Sequence, residues 1–361
     1  MRTAADVLSA LDLAAAGTVP FHLVVAPVRL TVLCPEPLRA RLVAYFAEAL
    51  DDRPGDDPGG HVVHLLPGQV LDPEPTWTEW QREQGKSGRK DAVCDLEDGR
   101  LIRKLRSGVT FLQAPGVAVA LGPLEANEST VINFINTQVL NAGLRDGWQL
   151  CHAAAVTKGA RTLAISGLSG GGKSTSALRM MEIDGTGFMS NDRLLVRAGR
   201  PARALGIPKH PRINPGTILG NPRLRPMLSP ARRATLAALP EAELWALEDK
   251  HDLIIPEVYG TGRVTYDGPL TDFWVLNWRR DSAAPTRVHE VALAERPDLL
   301  GAIMKSPGPF YRRPDGHFEP NGNAPDPGPY LAALRGVRVC EVSGGIDFDA
   351  LARQGRRVLD G

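Results

Sequence analysis

A chain of 361 residues is long for one average domain and predicts two modest domains, or one with a substantial appendage. Its 43% hydrophobic and 23% charged content lies in the ordinary globular range, which excludes an intrinsically disordered chain. With 42 Lys and Arg against 41 Asp and Glu, the net charge of +1 removes bulk electrostatic attraction to nucleic acid or an anionic membrane as the basis of its main partnership.

The longest uncharged stretch, Ser107 to Leu124, is interrupted by Gly108, Pro115, Gly116, Gly122 and Pro123, so it reads as strand and turn and not as a spanning helix. At the start, Asp6 and Asp12 break the apolar run that a secretory leader needs. Cys34, Cys94, Cys151 and Cys340 form no CxxC pair, which argues against a zinc knuckle or redox dithiol and predicts reduced thiols and a cytoplasmic protein.

In chain order, Leu23 to Cys34 is β-branched and apolar and predicts one strand, followed by a helix opened by Pro37 with Leu38, Leu42, Tyr45 and Ala49 at helical spacing. Asp51 to Gly60 is an acidic turn segment, and His61 to Leu66 predicts a second strand. Gly99 to Gly122 predicts a hairpin about Ser107-Gly108, and Ser129 to Asn141 a helix presenting Val131, Phe134, Ile135, Gln138 and Val139 on one face. A boundary near Gly147 then separates an N-terminal α+β accessory domain, 1–147, from an α/β domain, 148–361. Within the latter, the Pro- and Gly-rich stretch over 305–330 predicts an irregular loop or lid.

The strongest motif is TLAISGLSGGGKSTSALRMM, where Gly167, Gly172, Lys173 and Ser174 complete GxxxxGK[ST] between an apolar strand and a helical run. Such a loop wraps phosphate oxygens with consecutive backbone N–H groups, which Gly167, Ser169, Gly170, Gly171 and Gly172 leave accessible, and the helix N-terminus adds positive potential. Lys173 then reaches the β and γ phosphates, Ser174 ligates Mg²⁺, and Thr175 supports the site from the helix. ATP and Mg²⁺ are the implied ligands. Upstream, Cys151 to Ser166 predicts a hairpin with His152 at its start; downstream, Ser190-Asn191-Asp192 interrupts an apolar run and puts a carboxylate at a strand end.

These pieces together resemble the C-terminal domain of the HPr kinase/phosphorylase family, with a fold related to phosphoenolpyruvate carboxykinase. The likeness is carried by His152 and its hairpin into the phosphate loop, by Asn191-Asp192 at the family's Asp-Asp pair, and by EVYGTGRV, Glu257 to Val264, at its Glu-Ile-Arg-Gly-Leu-Gly signature. It runs from about Trp148 to Trp278 and looks closer to the subgroup called kinase B. The resemblance implies an ATP-dependent phosphotransferase acting on a serine of a protein, with Asp192 taking the hydroxyl proton, His152 orienting it, and Glu257 helping to bind metal. Homo-oligomerisation is compatible with it, since HPr kinases assemble as hexamers.

Asn191 and Tyr259 depart from the family pattern: an amide cannot act as a base, and Arg is expected where Tyr259 stands. The reverse phosphorylase activity is therefore not carried over. Each residue also has a plainer reading, with Asp192 capping a turn, His152 a structural histidine, Glu257 the start of a wet loop, and Lys209, Arg212, Arg223 and Arg225 a solvated basic loop. At the level of function the alternatives are a small-molecule kinase of the same fold and a non-catalytic ATP-binding switch or scaffold.

Overall fold

In a computed structural model the protein is described at residues 1–17, 19–51, 61–81, 88–167 and 171–361. It divides into two compact units, Met1–Gly147 with Ser306–Pro325, and Trp148–Lys305 with Asp326–Gly361. The change of unit at 147/148 is the first of three, and most of the Pro- and Gly-rich stretch belongs with the first unit.

The first unit comprises α1 (Ala4–Ser9), β1 (Phe21–Val25), β2 (Val28–Leu33), α2 (Leu38–Tyr45), β3 (His61–Pro67), β4 (Thr78–Glu79), β5 (Asp91–Asp95), β6 (Arg100–Lys104), β7 (Thr110–Ala114), β8 (Val117–Gly122) and α3 (Glu128–Arg145). Its eight strands form one sheet in the order β1-β2-β3-β8-β7-β6-β5-β4. The single strand expected over 23–34 is instead the hairpin of β1 and β2, turned at Ala26-Pro27, where proline supplies no N–H for a ladder. Alternation along β7 sends Leu112 into an apolar cluster with Val7 and Leu11, while Phe111 faces Phe134 of α3 at 4.4 Å between ring centroids. Phe310, from the late segment, completes this aromatic group at 5.3 Å from Phe111 and 5.8 Å from Phe134.

The second unit contains β9 (Gln149–Cys151), β10 (Ala153–Lys158), β11 (Arg161–Gly167), α4 (Lys173–Met180), β12 (Gly187–Ser190), β13 (Leu194–Arg197), β14 (Arg203–Leu205), β15 (Arg212–Ile213), α5 (Pro215–Gly220), α6 (Pro230–Ala237), α7 (Glu241–Ala246), β16 (His251–Asp252), α8 (Ile255–Tyr259), β17 (Asp267–Leu276), β18 (Arg287–Glu290), α9 (Pro297–Ile303), α10 (Pro327–Ala333), β19 (Arg338–Ser343) and α11 (Phe348–Asp360). Its main sheet mixes parallel and antiparallel pairs about β17, whose first residues pair with β14 and whose later ones run parallel to both β11 and β19. Period-two alternation divides the core: Leu163, Ile165 and Trp274 face α4 and α11, while Ala164, Phe273 and Val275 face α9 and α10. Helix α10 begins within the stretch read as loop and runs past its end, started by Asp326, whose carboxylate accepts from the Gly328 N–H, with Pro327 at the first helical position. No helix among the described residues is long and apolar enough to cross a membrane.

Candidate active site

The apolar run of β11 ends at Gly167, where strand pairing leaves no room for a side chain: a Cβ there would lie 2.9 Å from Leu276 Cβ and 3.2 Å from Leu276 O. Leu168, Ser169 and Gly170 lie outside the described residues. The chain then enters α4 through Gly172, in the left-handed region at φ +89°, which favours glycine. Trp278 donates its indole N–H to Gly171 O at 2.9 Å, and its ring meets that of Phe348 edge-on at 5.2 Å. The turn into α4 is therefore buttressed by two aromatic side chains.

Lys173 opens α4, and its Nζ lies 2.9 Å from His152 Nε2. Strand register explains how His152 meets Asp192. Ser190 pairs with Ala155 on β10 and Leu194 with Cys151 on β9, so the turn carrying Asp192 is stitched on either side of His152. The Ser190 hydroxyl closes that turn by donating to Arg193 O at 2.5 Å. Asp192 Oδ1 stands 3.1 Å from His152 Nε2, and Lys305 Nζ donates to Asp192 Oδ2 at 3.3 Å.

Charge within this group is strongly coupled. Burial pushes the Asp192 carboxyl up, but the hydrogen bond from His152 and the charges of Lys305, His152 and Lys173 prevail and hold it far below the usual carboxylate range. The hydrogen bond to Asp192 pulls the His152 ring upward; burial, Lys173 and Lys305 outweigh it, and the ring titrates below its ordinary value. Lys209 is drawn into the same field: burial and the nearby Arg193 bring it down to about 8 against the opposing charge of Asp192.

Of the residues singled out in the sequence, the structure thus brings together His152, Lys173 and Asp192. The Thr175 hydroxyl lies 2.8 Å from that of Thr217, tying α4 to α5. The Ser174 hydroxyl makes no intramolecular hydrogen bond among the described residues, and its place at the head of α4 fits a Mg²⁺ carried in on phosphates, which keeps most of its waters and takes few protein ligands. Glu257 is exposed on α8 and its side chain contacts none of these groups, while Tyr259 is buried with its hydroxyl 3.3 Å from Glu182 Oε1. Arg223 pairs with Glu182 at 2.8 Å, Arg212 with Asp252 at 3.0 Å, and Arg279 with Asp281 at 2.8 Å, so these cations serve local ion pairs. Among the described residues no three His, Cys, Asp or Glu side chains form a metal-binding group. Lys305 is the member that sequence reading missed.

No protein-family model matches the chain, and no curated protein does. Among solved structures, the Hpr(Ser) kinase/phosphatase from Coxiella burnetii is similar over 59% of this chain and 99% of that one, at 11% identity and a TM-score of 0.28. At that TM-score the likeness carries no functional weight, and function has to be read from the site's own residues.

Proposed function

We propose that the protein is an ATP-dependent phosphotransferase that moves the γ-phosphoryl group to a hydroxyl, the acceptor being a serine of a protein partner. The observation that carries this reading is the convergence of Lys173, His152 and Asp192 at the head of α4, where a glycine-rich turn joins a strand to a helix. Bound ATP with Mg²⁺ supplies the phosphoryl group and neutralises part of its charge.

In this reading the GxxxxGK[ST] motif cradles the phosphates, Lys173 adds a point charge, and Ser174 would hold the metal. Asp192 accepts a hydrogen bond from the attacking hydroxyl while His152 holds one carboxylate oxygen. The acceptor oxygen bonds to the γ phosphorus as the bond to the bridging oxygen breaks, and ADP leaves with that electron pair. The hydroxyl proton passes to Asp192 and then to solvent. The low proton affinity of Asp192 suits a loose transition state, in which orienting the nucleophile matters more than early removal of its proton.

A small anionic acceptor is the second reading, favoured by Lys173, Lys305 and Lys209 acting on the one carboxylate. Both are tested by incubating the protein with γ-labelled ATP, Mg²⁺ and host lysate, alongside Lys173→Ala and Asp192→Ala. Label in a protein band that both variants lose supports the first reading, and label in the small-molecule fraction alone supports the second. Tight ATP binding with no transfer overturns both in favour of a switch or scaffold.

A further inference from the structure

We propose that Lys305 is a positioning residue for the phosphotransfer reaction, acting through Asp192: it grips the carboxylate oxygen that His152 leaves and so fixes the plane in which Asp192 meets the acceptor hydroxyl. This rests on the reading of the site given above.

The first support is how firmly Lys305 is placed. It follows α9 by two residues, and the end of that helix is laced onto the junction of β9 and β10 that carries His152. The His152 N–H donates to Ile303 O at 2.7 Å, Met304 bridges to Cys151, and the Ser166 hydroxyl lies 2.7 Å from Ala302 O and 2.8 Å from His152 O. The buried Tyr330 of α10 then clamps Lys305 itself. Its hydroxyl proton goes to Leu150 O at 2.7 Å, and its oxygen accepts the Lys305 N–H at 3.4 Å. Lys305 and His152 therefore stand on one hydrogen-bonded frame, 153 residues apart in number and adjacent in space.

The second support is where the side chain goes. Lysine is rarely buried without a partner, yet the Lys305 side chain is only 16% exposed and reaches a carboxylate that is 48% exposed. An ion pair with one half-exposed partner adds little to stability, so packing gain alone is a poor account of a lysine placed this way. What it does confer is orientation. An ionised carboxylate has about four lone-pair sites; with one oxygen held by His152 and the other by Lys305, rotation about its bond to the chain is blocked and the remaining lone pairs keep a fixed direction for the incoming hydroxyl. Lys173 cannot do this once phosphates engage it, whereas Lys305 reaches the carboxylate from the end of α9.

The full-length protein is compared with Lys305→Met, Lys305→Arg, Asp192→Asn and the double variant Lys305→Met/Asp192→Asn, measuring ATP affinity, kcat and KM for transfer, and the Asp192 carboxyl ¹³C signal across acidic pH. The expected result is a fall in kcat of about tenfold to a hundredfold in Lys305→Met with KM for ATP unchanged, recovery in Lys305→Arg, no further loss when Asp192 is already Asn, and an Asp192 titration moved upward. An unmoved carboxyl signal overturns the proposal whether or not the protein transfers phosphoryl groups. So does an unchanged kcat, or a loss expressed in KM for ATP, which would make Lys305 a phosphate ligand. If wild type transfers nothing while the carboxyl signal moves, the phosphotransfer reading fails and the positioning role for that reaction falls with it, leaving the contact itself demonstrated.

Discussion

His152 faces Lys173 through a ring nitrogen that cannot satisfy all its neighbours: Nε2 lies 2.9 Å from the Lys173 ammonium and 3.1 Å from Asp192 Oδ1. Carrying a proton, it donates to Asp192 and turns that proton on a cation; without one, it accepts from Lys173 and points a lone pair at an anion. Any phosphate that draws Lys173 away resolves the conflict in favour of the bond to Asp192.

The conflict is measurable by NMR of the imidazole. Its folded titration midpoint lies below the ordinary 6.5, so folding favours the neutral ring. The associated stability is present above 6.5 and declines as pH falls from there towards the folded midpoint. In Lys173→Met the midpoint moves upward, since a depressing charge is gone and the carboxylate remains. A midpoint that stays put would show that Lys173 does not bear on the ring.

Removing the Lys173 charge also tests nucleotide binding without reference to transfer. A charge-assisted contact is worth about 1.5–3 kcal/mol, so Lys173→Ala should weaken ATP binding about 10- to 150-fold by calorimetry. Undiminished affinity would place the triphosphate elsewhere.

Gly172 offers a test of the turn itself. At φ +89° and with a Cβ position 3.0 Å from the Phe348 ring, Gly172→Ala should cost about 1–3 kcal/mol in urea denaturation. Gly220, where a Cβ meets nothing within 4 Å, is the control, and alanine there should change stability by less than about 0.5 kcal/mol.

Away from the site, Glu341 on β19 accepts from Arg296 at 2.5 and 3.0 Å and from Asn277 at 2.6 Å, and these bonds hold its carboxyl down to about 2. With an ordinary value of 4.5, its contribution is full above pH 4.5 and is lost as pH falls towards 2. Glu341→Gln should cost about 2 kcal/mol at neutral pH, with the gap from wild type closing across that acidic window.

What the sequence made legible follows the range of each interaction. The strand and helix around GxxxxGK[ST] are local patterns, and β11 and α4 lie where periodicity puts them. The extent of β1 was obscured because apolar residues continue across Ala26-Pro27, and only the missing proline N–H marks the turn. Lys305 was invisible for a different reason: its contact with Asp192 spans 113 residues, and the Pro- and Gly-rich residues after it look like the start of a loop. Glu257 matched a motif in one dimension and Tyr259 departed from it; in the fold Tyr259 packs into the core and Glu257 faces solvent.

The division of the chain yields a further expectation. A fragment of residues 1–147 lacks Phe310 and also the carbonyls of Pro309 and Glu319, which accept from the buried Arg100 guanidinium at 3.3 and 3.0 Å. Expressed alone it should be less stable than the same fragment with 306–325 appended through a short linker, by about 2–4 kcal/mol for a lost buried aromatic and its hydrogen bonds. Equal melting of the two would show that the late segment is dispensable.

That same discontinuity constrains how the protein is made. During synthesis Phe111 and Phe134 leave the ribosome long before Phe310, so the aromatic group of the first unit stays open while the larger part of the second unit is translated. The second unit in turn awaits β19 and α11. The aromatic part of the first core and the last strand and helix of the second are therefore completed late, so the growing chain carries exposed apolar surface through much of its translation, the circumstance in which aggregation competes with folding.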